Sequence, residues 1–113
     1  INVLRSYVTR HYGHHDLRAD TLAKHFGISV RRMHQLFEAT DQTVSQFIND
    51  IRLTQAATIL IDPDKACCSV ADVAWQVGYA DPSYFTRRFK RRFGCSPRTY
   101  RQEHRSGRVA RLS

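Results

Sequence analysis

The sequence predicts an all-α fold of about seven helices, in two small helical subdomains joined by a long linker helix. Three observations carry this. Helix start and stop signals recur along the 113 residues, while alternating β-branched runs, the mark of a half-buried strand, are missing. A helix–glycine–helix pattern occurs twice. Ala23 and Gly27 are matched by Ala74 and Gly78 at a separation of 51, and Met33 and Phe37 by Phe85 and Phe89 at 52. Finally, the apolar stripe of the middle helix changes face halfway along, which a helix packing on one core would not do.

The elements follow in order. Residues 1–12 put Val3, Leu4, Tyr7 and Val8 at helical spacing, and Gly13 ends that helix. The second helix covers about 19–26, with Leu22, Ala23 and Phe26 inward and Gly27 as its stop. Arg18 precedes it and has no acceptor with which to cap, so this helix is expected to begin loosely. Ser29 caps a third helix, about 30–40, and Thr43 a fourth, about 44–61. Pro63 lies just beyond the fourth, because proline cannot continue the ladder. Ser69 and Asp72 form a capping-box-like pattern for a fifth helix that Gly78 stops. Asp81-Pro82 sets a cap and then proline at the first helical position, opening a sixth helix that ends at Phe93-Gly94. Ser96-Pro97 repeats that device for a seventh helix, to about Glu103. The expected divisions are 1–42, a linker helix at 43–62, 63–104, and a basic flexible tail at 105–113.

Charge narrows the partner. The net charge is +8, and its placement is uneven. Residues 83–113 hold ten Lys/Arg against Glu103 alone, whereas residues 1–82 hold eight against nine acids. A local basic patch points to an acidic partner, nucleic acid first and an anionic membrane surface second. No apolar run approaches the ~20 residues that a membrane span needs. There is no signal-peptide pattern, and the start at Ile1 rather than Met reads as a piece of a longer protein. Cys67, Cys68 and Cys95 are odd in number and lack a Cys-x-x-Cys spacing, so they read as free thiols of a reducing, cytoplasmic setting. A redox role for Cys67-Cys68 needs a cationic neighbour.

An enzyme is not expected, nor is a cofactor. His11, His14 and His15 approach metal-ligand spacing, but Gly13 interrupts their helix and no Cys or acidic ligand set joins them. No nucleophile–base signature or phosphate-binding glycine loop is present.

Each copy of the repeat reads as a helix-turn-helix, and its second helix leaves one face free. At ~100° per residue, Val30, Met33, Leu36 and Phe37 share one side of the third helix and are expected as core. Arg31, His34, Gln35 and Glu38 lie opposite. In the sixth helix Phe85, Phe89 and Phe93 form the buried stripe. Ser83, Tyr84, Arg87, Lys90 and Arg91 lie on the far side, with Thr86 flanking. Arg31, His34 and Gln35 occupy the same repeat positions as Ser83, Thr86 and Arg87, 52 residues apart. Both trios sit near helix starts, where a recognition helix places the side chains that reach base edges. Arginine pairs bidentately with guanine and glutamine with adenine, while Ser and Thr use hydroxyl or methyl. Lys90 and Arg91, with Arg88 and Arg92 beside them, suit phosphate contacts, which position rather than specify. In the fourth helix Val44, Phe47, Ile48 and Ile51 lie on one side and Leu53, Ala56, Ala57 and Leu60 roughly opposite. Such a helix serves two small cores, and its ~27 Å length is near the ~34 Å separation of successive major grooves.

The sequence resembles the DNA-binding domain of the AraC/XylS family of bacterial transcription regulators. The resemblance spans nearly the whole chain. Its most specific part runs through Val73-Ala74, Val77-Gly78-Tyr79, Asp81, Ser83-Tyr84-Phe85-Thr86-Arg87, Phe89-Lys90, Phe93-Gly94, Ser96-Pro97 and Tyr100-Arg101. The first half matches through Leu22-Ala23, Gly27-Ile28-Ser29, Leu36-Phe37 and Arg52-Leu53. The resemblance implies seven helices in two helix-turn-helix subdomains, binding to double-stranded promoter DNA, and a separate N-terminal effector-sensing or dimerising domain outside this chain. It implies contact with RNA polymerase, as family members make. Carried over by position, the base-facing residues are Arg31, His34 and Gln35, then Ser83, Thr86 and Arg87. The first reader helix is less basic and carries Glu38, so the two subdomains are expected to contribute unequally. The alternative is a basic helical protein-interaction module that docks an acidic partner.

Overall fold

The computed structural model describes residues 2–112, and the side chains of residues 2–104. Seven α-helices form: α1 Asn2–His11, α2 Ala19–His25, α3 Val30–Glu38, α4 Val44–Leu60, α5 Val70–Gln76, α6 Pro82–Phe93 and α7 Pro97–Leu112. A single 3-10 turn, Pro63–Lys65, follows α4, and no strand occurs among the described residues. The helix α7 runs past the expected end near Glu103. The side chains of the expected basic tail, 105–113, lie outside the described residues.

Five helices start where the sequence places a cap. Ser29 Oγ accepts the Arg32 N–H of α3 at 3.0 Å. At α4, Thr43 Oγ1 accepts from the Gln46 N–H while Gln46 Oε1 accepts from the Thr43 N–H. Ser69 and Asp72 make the same reciprocal pair at α5. Asp81 and Ser96 accept from the Ser83 and Thr99 N–H groups at α6 and α7. The start of α2 departs from expectation, because it is tied from inside the helix. Thr21 Oγ1 accepts the Arg18 N–H at 3.0 Å and donates to the Asp16 carbonyl at 2.8 Å. An arginine cannot accept a hydrogen bond, so the third helical residue takes over the cap's task.

The turns inside the two repeats close with the same pair of backbone hydrogen bonds. After α2, the Ile28 N–H donates to Ala23 O and the Gly27 N–H to Lys24 O. After α5, the Tyr79 N–H donates to Ala74 O and the Gly78 N–H to Trp75 O. These pairs satisfy the last helical carbonyls only if the glycine turns to positive φ, which is 68° at Gly27 and 108° at Gly78. Ala23 and Ala74, buried at the matching helix ends, let the chain double back tightly.

The chain divides into two units, Ile1–Arg52 and Leu53–Ser113. In the first, Val8, Leu22, Met33 and Val44 are fully buried. The third helix buries less than expected. Met33 and Phe37 are core, but Val30 is 41% exposed and Leu36 36%. Both flank the Met33–Phe37 line, and so small a unit covers only the centre of the stripe. In the second unit Val73, Val77, Leu60, Phe85 and Phe89 are fully buried. The Phe89 ring meets those of Phe85 at 5.7 Å and Tyr100 at 5.3 Å, edge and tilted contacts that add to area burial. Phe93 is only half-buried, against Phe89 and Tyr100.

One arginine in each unit holds the loop before the helix-turn-helix. Arg52, 8% exposed, donates from Nε to Tyr12 O at 2.9 Å and from Nη2 to His14 O at 2.8 Å. Arg101 donates from Nε to Leu60 O at 3.0 Å and from Nη1 to Cys68 O at 2.6 Å. A planar guanidinium spans two carbonyls that a lysine would meet singly.

Two stability results are expected. Arg52→Met lowers unfolding stability by about 2–4 kcal/mol in denaturant titration, since it orphans enclosed carbonyls, and Arg52→Lys recovers only part of the loss. At Gly27 an added Cβ meets open space, so Gly27→Ala carries only the left-handed backbone penalty of about 1–2 kcal/mol. Gly78→Ala costs more, because φ of 108° lies outside the left-handed helical well.

Candidate nucleic-acid interface

The basic helix α6 is firmly seated. Asp81 and Pro82 fix where α6 begins, and Phe85 and Phe89 fix its rotation by total burial. The opposite face must then point outward. Ser83, Tyr84, Arg87, Lys90 and Arg91 are all exposed, and Thr86 is half-buried at the flank. Among the described residues Arg87, Lys90 and Arg91 form no ion pair, while Arg18–Asp20 does at 2.7 Å. Their charge is therefore uncompensated by neighbouring carboxylates.

The four phosphate candidates separate by environment. Lys90 and Arg91 stand on the free face. Arg88 is half-buried, with its Nε enclosed and without a hydrogen-bond partner among the described residues. Arg92 is exposed, but its guanidinium carbon lies 4.8 Å from the Phe93 ring centroid. Arg88 and Arg92 sit within ~60° of the phenylalanine line, which pulls their stems toward the aromatic side.

On α3, Met33 and Phe37 hold the helix down and Arg31, His34 and Gln35 are exposed. Arg32 is exposed beside them. His34 also lines a cleft of about 330 Å³ with Glu38, Asp41 and Gln46. Acids next to this reader face make it a poorer host for phosphate than α6. The count agrees: residues 1–52 hold seven Lys/Arg against five Asp/Glu, and residues 53–113 hold eleven against five. Each trio lies within its own unit.

The sequence reading assigned no role to Tyr84, although its position opposite Phe85 and Phe89 marked it as outward. It also gave Arg52 and Arg101 no structural task. No local pattern reveals that task, because their carbonyl partners lie 33 to 41 residues away.

His11, His14 and His25 pack through their rings, while His34 stays exposed on α3. The His11 ring meets Tyr7 at 4.4 Å and His14 at 5.1 Å, and Tyr7 stacks on His25 at 4.1 Å. No cluster of His, Cys, Asp or Glu among the described residues is arranged to hold a metal. The three cysteines are free, with Cys67 exposed. No helix among the described residues is long and apolar enough to cross a membrane.

Comparison with known proteins agrees with this geometry. A helix-turn-helix domain family matches residues 22–103. The transcriptional activator NphR of Rhodococcus sp. is 38% identical over 89 residues, covering 79% of this chain and 26% of the relative. The HTH-type transcriptional activator RhaS of Escherichia coli O139:H28 is 32% identical over 103 residues, covering 90% of this chain and 36% of the relative. This chain thus spans only about a quarter to a third of these relatives. The DNA-binding domain of AdpA, a global transcriptional factor solved in complex with a target DNA, superposes with a TM-score of 0.84 at 26% identity, over 96% of this chain and 95% of that one. The C-terminal domain of AraT, a response regulator from Geobacillus stearothermophilus, shares the fold with a TM-score of 0.81 at 24% identity, over 89% and 82%. With the family match covering most of its length, the chain belongs to the helix-turn-helix domain family, as an AraC-type DNA-binding domain of bacterial transcription regulators.

Proposed function

We propose that α3 and α6 are the recognition helices with which this DNA-binding domain reads double-stranded promoter sites, each in a major groove. The observation that carries the reading is the free face of α6. Three cations without a carboxylate partner among the described residues, Arg87, Lys90 and Arg91, stand opposite two fully buried phenylalanines. A rigidly seated helix with uncompensated positive charge suits insertion between phosphate rails. Ser83, Thr86 and Arg87 read base edges from α6, and Arg31, His34 and Gln35 from α3. Lys90 and Arg91 contact phosphate, with Arg92 at the helix end. Arg88 supports the helix as much as it meets DNA, because its Nε is enclosed. The second unit supplies most of the electrostatic attraction and the first adds specificity.

The domain acts within a longer regulator, as its relatives' lengths suggest, with an effector-sensing or dimerising domain as its covalent partner. RNA polymerase is a further partner, since the relatives are named activators. Its place of action is the cytoplasm, where bacterial DNA lies. The reading gives the domain no catalytic role.

Two measurements test this. Duplex affinity should fall with salt on a log–log slope of about −0.9 per phosphate neutralised. Absence of duplex binding at low salt would leave the basic face as a docking site for an acidic protein. On a site selected from random sequence, Arg87→Ala should cost about 1–3 kcal/mol and relax preference at one base position, whereas Lys90→Ala should weaken all duplexes alike. Equal loss on random and selected DNA for Arg87→Ala would remove its base-reading role.

A further inference from the structure

Tyr84 is the aromatic side chain of α6 that the core does not enclose. It is 39% exposed, whereas Phe85 and Phe89 are fully buried and Phe93 is half-buried. Single exposed apolar residues are ordinary on protein surfaces, but the place of this one is not. Tyr84, Arg87 and Arg91 follow one another at i, i+3 and i+7, so they form one ridge along the free face. The ring is also held. Its centroid lies 5.9 Å from that of buried Tyr79, and the Arg87 guanidinium carbon lies 6.0 Å from the Tyr84 centroid, within cation–π reach.

We propose that Tyr84 is a further specificity-determining residue of α6, whose ring packs on the 5-methyl group of a thymine while positioning Arg87 for an adjacent guanine. This rests on the reading of α6 as a recognition helix. The cations on this face already supply attraction to phosphate, which needs no aromatic neighbour. An apolar surface among them finds one apolar feature on the base edges of the major groove, the thymine methyl. The Arg87 side chain is long and flexible. A ring beneath its guanidinium narrows the directions it samples, which favours a two-bond approach to guanine O6 and N7. The rival role, a Tyr84 hydroxyl donating to a phosphate, needs the oxygen rather than the ring.

The two roles separate by substitution on both sides. Duplexes bound by the full chain are selected, and each thymine of the selected site is replaced in turn by uracil, which removes only the methyl group. For the wild-type chain, one such replacement should weaken binding about fourfold, the size expected for losing one buried methyl contact. Tyr84→Phe should keep that sensitivity. Tyr84→Ala should bind thymine and uracil duplexes alike, and should also show reduced guanine preference at the neighbouring position. Because the side chain lies at the edge of the core, the variants are expected to stay folded at the binding temperature, which circular dichroism checks. If no uracil position distinguishes wild type from Tyr84→Ala, the proposal fails while DNA reading by α6 stands. If Tyr84→Phe loses as much as Tyr84→Ala on every duplex, the phosphate role replaces it. If the wild-type chain binds no duplex, the reading of α6 fails and this proposal with it.

Discussion

An arginine guanidinium, buried at Arg52 and half-buried at Arg101, holds the loop ahead of each helix-turn-helix. Arg52 reaches from the middle of α4 to the carbonyls of Tyr12 and His14, at the end of α1 and in the turn beyond. Arg101 does the same from α7 for Leu60 and Cys68. These loops carry no apolar run of their own and close with backbone carbonyls turned inward. Left unpaired, such groups oppose folding strongly, whereas a charged donor makes them anchors. The helices that follow start from fixed ends, so α2 and α5 have defined positions against which α3 and α6 pack.

From that frame the free faces follow by subtraction. Each second helix is pinned by two residues a turn apart, Met33 with Phe37 and Phe85 with Phe89. Two full-depth contacts set the rotation of a short helix, and everything on the far side is outward by geometry. The buried and the exposed residues thus use opposite sides of the same turns. The polar side can be varied at little cost to the core. The two units differ in how they use this freedom. Among the described residues the face of α6 carries cations without carboxylate partners, while acids lie beside that of α3.

Much of this was legible in the chain itself. Ser29, Thr43, Ser69, Asp81 and Ser96 each cap the helix that their position announces, because capping is a local bond between residues two or three apart. The glycine turns were legible for the same reason. Arg18 was misleading, since the tie at α2 comes from Thr21, three residues inside the helix. Val30 and Leu36 were misleading in another way. Helical spacing gives the direction of a side chain but not whether anything lies there to cover it, and both remain exposed.

Sequence alone therefore determined the helices, the repeat and which residues share a face, all of which depend on bonds or angles within one or two turns. It also determined the sign of the partner, through the cluster of cations after residue 82. Only the tertiary structure decided the tasks of Arg52 and Arg101, whose partners are distant carbonyls with no side-chain identity to read. It decided as well that five neighbouring cations are not equivalent: Arg88 has its Nε enclosed and Arg92 lies on an aromatic ring, while Arg87, Lys90 and Arg91 meet no carboxylate among the described residues. Burial and pairing depend on what the rest of the chain brings near, and that is fixed only when the core closes.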